Sequence, residues 1–293
     1  MVVFILVSVI AALYVGLIGC EGPQGPVGPS GDSLPVYLWG AVGAPELEEL
    51  PAYVLISNAP EVPSVEINGI RIPFTSPLTG GGCAGYFLQG IVFSLDDFSI
   101  PAGDSASLVV TYTKVNGSPG TARANIVLPD QFEITSHDTS SVVDIPVGTS
   151  LTVSWTSSKG ADAYHVYLDL DYDYTDTSGA HQSFYFSADT LITDTFITFL
   201  PSQLFPDAGK IERTQLTSRG EFDISAIAGP LWEGAEGNVT GDGIGFFYGL
   251  TFGGHLDLEV SGSEYVAGKR AEPEVRFQKT FIDLYSRRVT LTP

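Results

Sequence analysis

The sequence predicts an all-β protein with two tandem β-sandwich domains. The 293-residue chain is 44% hydrophobic and 11% aromatic, which suits a packed body rather than a disordered one. Its 33 glycines and 19 prolines indicate many turns. Long stretches rich in Ala, Leu, Glu and Lys, which would form helices, are absent from the sequence. We expect the two domains at residues 34–135 and 142–267, joined by the polar linker 136–141.

The clearest element of the first predicted domain is a hairpin in the stretch SVEINGIRIPF. Asn68-Gly69 is the preferred pair for a two-residue type I′ turn, and this turn places Glu66 opposite Arg71. The period of two puts this charged pair on one face of the hairpin and four apolar side chains on the other. The four apolar side chains are Val65, Ile67, Ile70 and Ile72. Further strands are predicted at residues 86–93, 105–114, 121–128 and 131–135.

The second predicted domain alternates apolar and polar residues over long stretches. In TSLTVSWTSSKGADAYHVYLDL the residues predicted to face the core are Leu151, Val153, Trp155, Tyr164, Val166, Leu168 and Leu170. In EFDISAIAG they are Phe222, Ile224, Ala226 and Ala228. These stretches resemble strands B, C and F of a fibronectin type III or related immunoglobulin-like sandwich. The resemblance implies the fold and carries no functional residues. The stretch PSQLFPDAG predicts a short helical turn, the only helix expected in the body.

The start of the chain predicts export and lipid anchoring. Residues 2–18 carry no charge, are almost wholly apolar, and lie at the lower edge of a membrane-spanning length. The stretch LIGC, which ends at Cys20, resembles the bacterial lipobox. That resemblance implies cleavage of the signal peptide 1–19 and lipidation of Cys20, which would anchor the protein in the bacterial cell envelope, facing the periplasm or the cell exterior. An uncleaved N-terminal anchor helix is the alternative.

Residues 20–33 are predicted to form a stalk behind the lipidated cysteine. From Gly22 the chain reads GPQ GPV GPS GDS, with glycine at every third position as a collagen triple helix requires. Four triplets are too few to hold three chains together unaided. We therefore expect a polyproline II spacer, and a dozen residues at ~3.1 Å each would span roughly 35 to 40 Å. Trimerisation is the alternative if the globular part also trimerises.

The net charge of −21 excludes nucleic acid as a partner, because phosphate recognition relies on Lys and Arg. The charge is uneven. Residues 268–293 hold six of the 13 basic residues against three acidic ones, so this segment is +3 and the rest of the chain is −24. We interpret the segment as a terminal strand that pairs with an acidic body. A docking segment for anionic envelope polymers is the alternative.

The two cysteines predict no disulfide. If Cys20 is lipidated, Cys83 is left alone despite the extracytoplasmic setting. Cys83 lies in TGGGCAGYFL between a glycine turn and an apolar run, and we expect it to be a buried apolar residue rather than a reactive thiol.

The stretch DLDYDYTD offers a candidate calcium site at Asp169, Asp171, Asp173 and Asp176. Carboxylates two apart on a strand share a face, and calcium takes several oxygen ligands. The stretch lacks the glycine and the final acid of an EF-hand loop. A solvated hairpin end is therefore the alternative to calcium, the only cofactor considered.

The glycine-rich loop 229–245 offers a candidate ligand-binding site. Long loops at the end of a β-sandwich often present binding residues. An exposed Trp beside carboxylates can stack on a sugar ring and bond its hydroxyls. The candidate residues are Trp232, Glu233, Glu236, Asn238 and Asp242. The alternative is a structural loop with Trp232 in the core.

No catalytic site is predicted. The sequence has no G-x-S-x-G, no H-E-x-x-H and no phosphate-binding glycine loop before a helix. His165 is expected at the surface, near Asp169. The leading hypothesis is a membrane-anchored, non-catalytic binding or adhesion module for an envelope polysaccharide or a surface protein. The alternatives are a structural subunit of a surface assembly, joined by strand exchange through 268–293, and a polysaccharide-acting enzyme with an unrecognised carboxylate pair.

Overall fold

The computed structural model describes residues 35–44, 52–79, 89–95, 98–231 and 236–261. Strands β1 to β8 are Val36–Gly43, Ala52–Ser57, Glu61–Ile67, Ile70–Arg71, Phe74–Thr79, Gln89–Leu95, Ser105–Thr113 and Pro119–Val127. Strands β9 to β16 are Val143–Ile145, Leu151–Ser154, Ala163–Asp176, His181–Ile192, Phe196–Phe199, Ile211–Ala228, Thr240–Gly241 and Gly243–Val260. Helix α1, Pro201–Leu204, and the 3₁₀ turn Ala208–Lys210 are the helical elements in these ranges. The all-β prediction and the short helical turn are confirmed.

The described residues form one large sheet and two smaller ones. The strand order of the large sheet is β12-β11-β14-β16-β1-β2-β6-β5, and β9 also pairs with β16. A five-stranded sheet, β15-β8-β7-β3-β4, and a two-stranded sheet, β10-β13, complete the fold. The five-stranded sheet belongs to the first predicted domain except for β15, and the two-stranded sheet belongs to the second.

Strand β16 pairs with strands of both predicted domains and so joins them in the large sheet. Its first half pairs in parallel with β1, from Val36 opposite Gly243 to Gly43 opposite Leu250. Its second half pairs with β14 in antiparallel fashion and then with β9 in parallel. The division at residues 136–141 stays a prediction, but strand pairing joins the regions on either side of it in a single sheet.

Two hydrophobic cores lie between the large sheet and the two smaller ones. The first core contains Leu38 and Phe247 from the large sheet, packed with Leu108 and Val110 of the five-stranded sheet. The second core contains the predicted inward residues of β10, β11 and β14, which are buried together with Phe199 and Leu256. Each core buries apolar side chains from two facing sheets, as a β-sandwich requires.

A third apolar cluster lies on the other side of the large sheet, where β1, β2, β14 and β16 meet. Its buried members are Trp39, Ala41, Leu55, Ala163, Ile227, Leu231, Tyr248 and Leu250. The ring of Trp39 lies 5.1 Å from that of Phe246 and 5.3 Å from that of Tyr248, between ring centres. At this junction the large sheet is therefore packed on both faces.

The predicted hairpin is present with the predicted register. Glu66 pairs with Arg71, and the two turn residues both have positive φ, 51° at Asn68 and 77° at Gly69, as a type I′ turn requires. Ile67 pairs with Ile70, in agreement with the predicted common face. Val65, Ile67 and Ile72 are buried, and Ile70 is 51% exposed. Strand β4 is only two residues long and forms the edge of its sheet, where little can cover Ile70.

The fibronectin-like stretches form strands β10, β11 and β14, and the ring of Phe222 lies 6.5 Å from that of Trp155, between centres. The predicted strand at 131–135 is reduced to a single bridge between Ile134 and Trp155. The predicted linker 136–141 contains a turn in which Asp138 accepts hydrogen bonds from the backbone and hydroxyl of Ser140. The chain enters β9 two residues later, at Val143, and the role of 136–141 as a linker stays a prediction.

The predicted signal peptide 1–19, the stalk 20–33, Cys83 and the segment 268–293 lie outside the described residues. In the part of the chain that the structure describes, no helix has the length and apolarity needed to cross a membrane.

The pairing of β1 with β16 depends on Gly245. This residue has φ of +145°, and a Cβ placed on it would lie 1.7 Å from the carbonyl oxygen of Leu38, its partner in the parallel register. A side chain at this position would therefore separate the two strands that connect the halves of the large sheet.

We predict that Gly245→Ala lowers the free energy of unfolding by at least about 2 kcal/mol, because it adds both backbone strain and a clash with the neighbouring strand. Urea unfolding followed by tryptophan fluorescence measures the change. Gly209→Ala is the matched control, since a Cβ at Gly209 meets no atom within 4 Å, and it should shift stability by less than about 0.5 kcal/mol. Equal effects of the two substitutions would contradict this account of the strand pairing.

Candidate functional site

The outward face of the large sheet carries three rows of polar side chains across β12, β11, β14 and β16. Cross-strand register defines the rows, because residues directly opposite each other share a face. The first row is Asp189, Tyr167, Asp223 and His255. The second row is Ser187, Asp169, Glu221 and Asp257. The third row is Tyr185, Asp171 and Arg219. We call this surface the polar rows.

His255 lies between two carboxylates at one end of the first row. Its Nδ1 is 2.8 Å from Asp223 Oδ1, and its Nε2 is 3.1 Å from Asp257 Oδ1. His255 is only 9% exposed and Asp223 7%. Since an imidazole donates from both ring nitrogens only when it is protonated, this geometry fits an imidazolium that offsets part of the buried negative charge.

His165 makes a second histidine–carboxylate pair, with its Nε2 2.7 Å from Asp189 Oδ1. The expectation that His165 lies at the surface is wrong, because it is 6% exposed. Its partner in the sheet register is Leu191, and Ala163, two residues before it, belongs to the third apolar cluster. The outward face of β11 is therefore packed at this end and becomes accessible only further along the strand.

Asp169 is held by two tyrosine hydroxyls. Tyr167 donates a short hydrogen bond to its Oδ2, and Tyr185 donates to its Oδ1 at 2.9 Å. Burial, the hydrogen bond to Asp169 and the charges of Asp169 and Glu221 raise the pKa of Tyr167 well above its ordinary value. Tyr167 is therefore a protonated donor at any physiological pH, and Asp169 is an acceptor.

Asp173 and Asp176 of DLDYDYTD also find donors within the hairpin of β11 and β12. Ser183 donates to Asp173 at 2.6 Å. Asp176 accepts the backbone N–H groups of Ser178 at 2.8 Å and Ala180 at 3.0 Å, closing the hairpin turn. Hydrogen bonds from the Ser178 hydroxyl and the Ala180 backbone hold the pKa of Asp176 below its ordinary range.

The alternation places Asp169, Asp171 and Asp173 on the face opposite the buried Leu170 and Tyr172, as predicted. Desolvation and the nearby charge of Asp173 raise the pKa of Asp171, and Arg219 opposes this effect. Among the described residues, no group of three or more His, Cys, Asp or Glu side chains is arranged to hold a metal ion. Calcium binding by Asp169, Asp171, Asp173 and Asp176 stays a prediction, and hydroxyl and amide donors already bond Asp169, Asp173 and Asp176.

The candidate residues of the glycine-rich loop have a different setting. Trp232 and Glu233 lie outside the described residues, and Glu236 is exposed. Asn238 accepts from the backbone N–H of Phe247 at 2.8 Å and donates to its carbonyl at 2.7 Å. Through these two hydrogen bonds Asn238 attaches the loop to β16, which is a structural role. Ligand binding by this loop stays a prediction.

Asp242 attaches the other end of the loop to the five-stranded sheet. It accepts a hydrogen bond from Lys114 Nζ at 2.6 Å and from the backbone N–H of Thr121 at 3.0 Å. The hydrogen bond from Lys114, followed by that from Thr121, holds the pKa of Asp242 below its ordinary value of 3.8.

The half of the polar rows that lies on β14 and β16 is not among the residues predicted from the sequence. The signal was present in each strand: Glu221 and Asp223 alternate with buried residues in EFDIS, and His255 and Asp257 alternate with leucines in HLDL. Alternation alone does not say which strands are neighbours. Only the register brings His255 and Asp223 together.

Comparisons with known proteins add little to this site. No protein-family model and no curated protein matches the chain. The fibronectin(III)-like modules of Clostridium thermocellum CbhA align at 6% identity and a TM-score of 0.26, covering 80% of this chain and 98% of that one. DIP-gamma IG1+IG2 aligns at 7% identity and a TM-score of 0.19, covering 78% and 98%. At such TM-scores neither similarity carries an argument about function.

We predict that His255→Ala lowers the free energy of unfolding by about 3 kcal/mol, because it removes the imidazole that bonds the buried Asp223 carboxylate. Urea unfolding at pH 7 measures the loss. His181→Ala is the control: its side chain is 61% exposed and lies 3.9 Å from Asp173, so its removal should cost less than about 0.5 kcal/mol. An unchanged urea midpoint for His255→Ala would show that this histidine does not offset the negative charge of the carboxylates in the polar rows.

We predict that Asp242 stabilises the fold in a pH-dependent way. Because its pKa is lower in the folded state, its contribution is present above its ordinary pKa of 3.8 and is lost as the pH falls through the lower folded value. Asp242→Asn should therefore lower the urea midpoint at pH 6, and this difference from the wild type should shrink as the pH is lowered below 3.8. Lys114→Met, which removes the other partner, should give the same pattern. A difference of equal size at pH 6 and pH 2 would contradict the assignment.

Proposed function

We propose that this protein is a bacterial envelope lipoprotein, anchored through Cys20, whose β-sandwich body is a non-catalytic binding or adhesion module for a polysaccharide. The binding proposal rests on the exposure of Tyr185, whose aromatic side chain is 63% exposed on the outward face of β12. Its hydroxyl is hydrogen-bonded to Asp169, and Asp171 lies directly opposite it in the register.

The chemistry around Tyr185 suits a sugar. A tyrosine ring combines an apolar face with a polar end, and a carbohydrate ring can stack on that face. Asp171 and Ser183 supply an acceptor and a hydroxyl within the same face of the hairpin. Together these groups match a ligand that is flat and apolar on one side and rich in hydroxyls at its edge.

The hairpin that carries Tyr185 is supported from below. Tyr172 donates a hydrogen bond to the carbonyl of Leu204 in α1 at 3.0 Å. Its ring also packs 5.5 Å from Phe205 and 5.3 Å from Phe184, between centres. An aromatic group on a rigid platform loses little conformational entropy on binding, which favours recognition by Tyr185.

The negative charge of the protein limits the kind of polysaccharide that it can bind. With a net charge of −21 and the carboxylates of β11 beside the tyrosine, the protein repels anionic polymers. The proposal is therefore specific to neutral or amine-bearing polysaccharides of the cell envelope or its surroundings.

We predict that Tyr185→Ala raises the Kd for such a polysaccharide roughly 30-fold, because a central aromatic contact contributes about 2 kcal/mol. Binding to a panel of immobilised neutral and amine-bearing polysaccharides is measured by surface plasmon resonance, with calcium and then with EDTA. Tyr37→Ala is the matched control, since Tyr37 is 47% exposed on β1, far from the hairpin in the strand order.

Loss of binding in Tyr185→Ala with unchanged binding in Tyr37→Ala is the expected result. A loss of binding in EDTA would add calcium to the mechanism through the Asp169–Asp176 carboxylates. No binding to any member of the panel, or equal binding by the Tyr185→Ala protein, would overturn the proposed function.

A further inference from the structure

Strand β12 is an end strand of the large sheet, and in the described part of the chain it has β11 as its one strand neighbour. It is 12 residues long, which is long for an edge, and its sequence HQSFYFSADTLI contains no Lys, Arg or Pro. Natural edge strands are usually short, charged or interrupted by proline, because an open edge pairs readily with other strands. β12 has none of these protections at its centre.

The register shows which backbone groups of β12 point away from β11. Asp176 N–H donates to the carbonyl of Ala180 at 2.9 Å, and hydrogen-bonded pairs alternate along an antiparallel ladder. Ala180, Gln182, Phe184 and Phe186 therefore bond to β11. The residues between them direct their N–H and C=O groups to the open edge. These outward residues are His181, Ser183, Tyr185 and Ser187.

The two sides of this edge differ in chemistry. On the outward side lie Tyr185 and the carboxylates of Asp171 and Asp173. On the inward side Phe184 and Phe186 are half-buried and pack against the second core. A strand added here meets acidic and aromatic groups on one face and apolar groups on the other, so it should alternate basic or polar residues with apolar ones.

We propose that β12 accepts residues 275–281 of a second copy of this chain as an added strand. This segment, VRFQKTF, lies outside the described residues and has the required alternation: Val275, Phe277 and Phe281 fall on one side, and Arg276, Gln278 and Thr280 on the other. Lys279 is the exception, and its aliphatic stem can follow an apolar rim while its ammonium reaches solvent.

Charge selects this occupant over a symmetric pairing of two β12 strands. Such a pairing would bring the carboxylates beside Tyr185 from both copies together, in a chain whose residues before 268 carry −24. The donor segment comes from residues 268–293, which carry a net charge of +3. Opposite charges across the contact favour association and penalise the like-charged alternative.

The donor segment and the acceptor edge are different surfaces, so the contact is head-to-tail. It links copies into open chains, or into rings where the geometry closes. Main-chain hydrogen bonds would supply affinity and the alternating side chains specificity. This inference goes beyond polysaccharide binding and does not depend on it.

The experiment uses the full-length protein in density-matched detergent and analytical ultracentrifugation. Ser187→Pro disables the acceptor, because it removes an outward N–H without breaking a hydrogen bond to β11. Gln278→Pro disables the donor segment. Ser187→Ala and Gln278→Ala are the matched controls, which keep the backbone N–H groups. Ser183→Pro, at a second outward position, replaces Ser187→Pro if that variant does not keep the native circular dichroism spectrum.

The wild-type protein and both alanine variants should form a concentration-dependent series of oligomers, and each proline variant alone should be monomeric. An equimolar mixture of Ser187→Pro and Gln278→Pro copies should form 1:1 dimers, because one intact donor then meets one intact acceptor. A monomeric wild type, oligomers in either proline variant alone, or a monomeric mixture would overturn the proposal. A monomeric wild type whose melting temperature falls in both proline variants would instead place the segment on its own chain.

Discussion

The described body depends on one strand, β16, facing two cores from the same side of one sheet. Phe247 belongs to the first core and Leu256 to the second, and they are separated by an odd number of positions. In a regular strand such residues would point to opposite faces. The bulge opposite Ile224 and Ser225, which leaves Gly253 outside the register, adds one residue and returns Leu256 to the inner face.

The same strand explains why charged groups are concentrated on the opposite face. Once Leu256 and Leu258 face the second core, His255 and Asp257 must point outward, beside Asp223 and Glu221 of β14. Burial of several carboxylates on one face is costly unless donors or a cation balance them. Histidine and tyrosine supply part of this balance, so the polar rows are a consequence of the sheet as much as a functional surface.

Local features of the fold could be predicted from the sequence, and non-local ones could not. The Asn68-Gly69 turn and the alternation of β10, β11 and β14 are encoded within a few residues of each other, and each was predicted with its inward face. The parallel pairing of β1 with β16 joins residues about 200 positions apart, and nothing in either strand's own pattern selects the other.

The features of the candidate site also divide into those that the local sequence predicts and those that it does not. Asp169, Asp171 and Asp173 share a face because of strand periodicity, which a sequence shows directly. The buried position of His165 does not follow from periodicity, because its outward face is packed only where β11 meets the third apolar cluster. Predictions for β11 therefore succeeded where one sheet decides the environment and failed where a second layer does.

The exposed end of the β11–β12 hairpin combines two properties that usually conflict. Recognition benefits from rigidity, and Tyr172 and Phe184 provide it by packing the hairpin on the segment after α1. An open edge benefits from protection, yet the centre of β12 has no charge or proline to discourage pairing. A rigid edge with no charge or proline at its centre, beside acidic and aromatic groups, would pair readily with other strands in a free monomer. We therefore expect a matching strand to occupy this edge. Residues 275–281 of the chain have the alternation that such a strand needs.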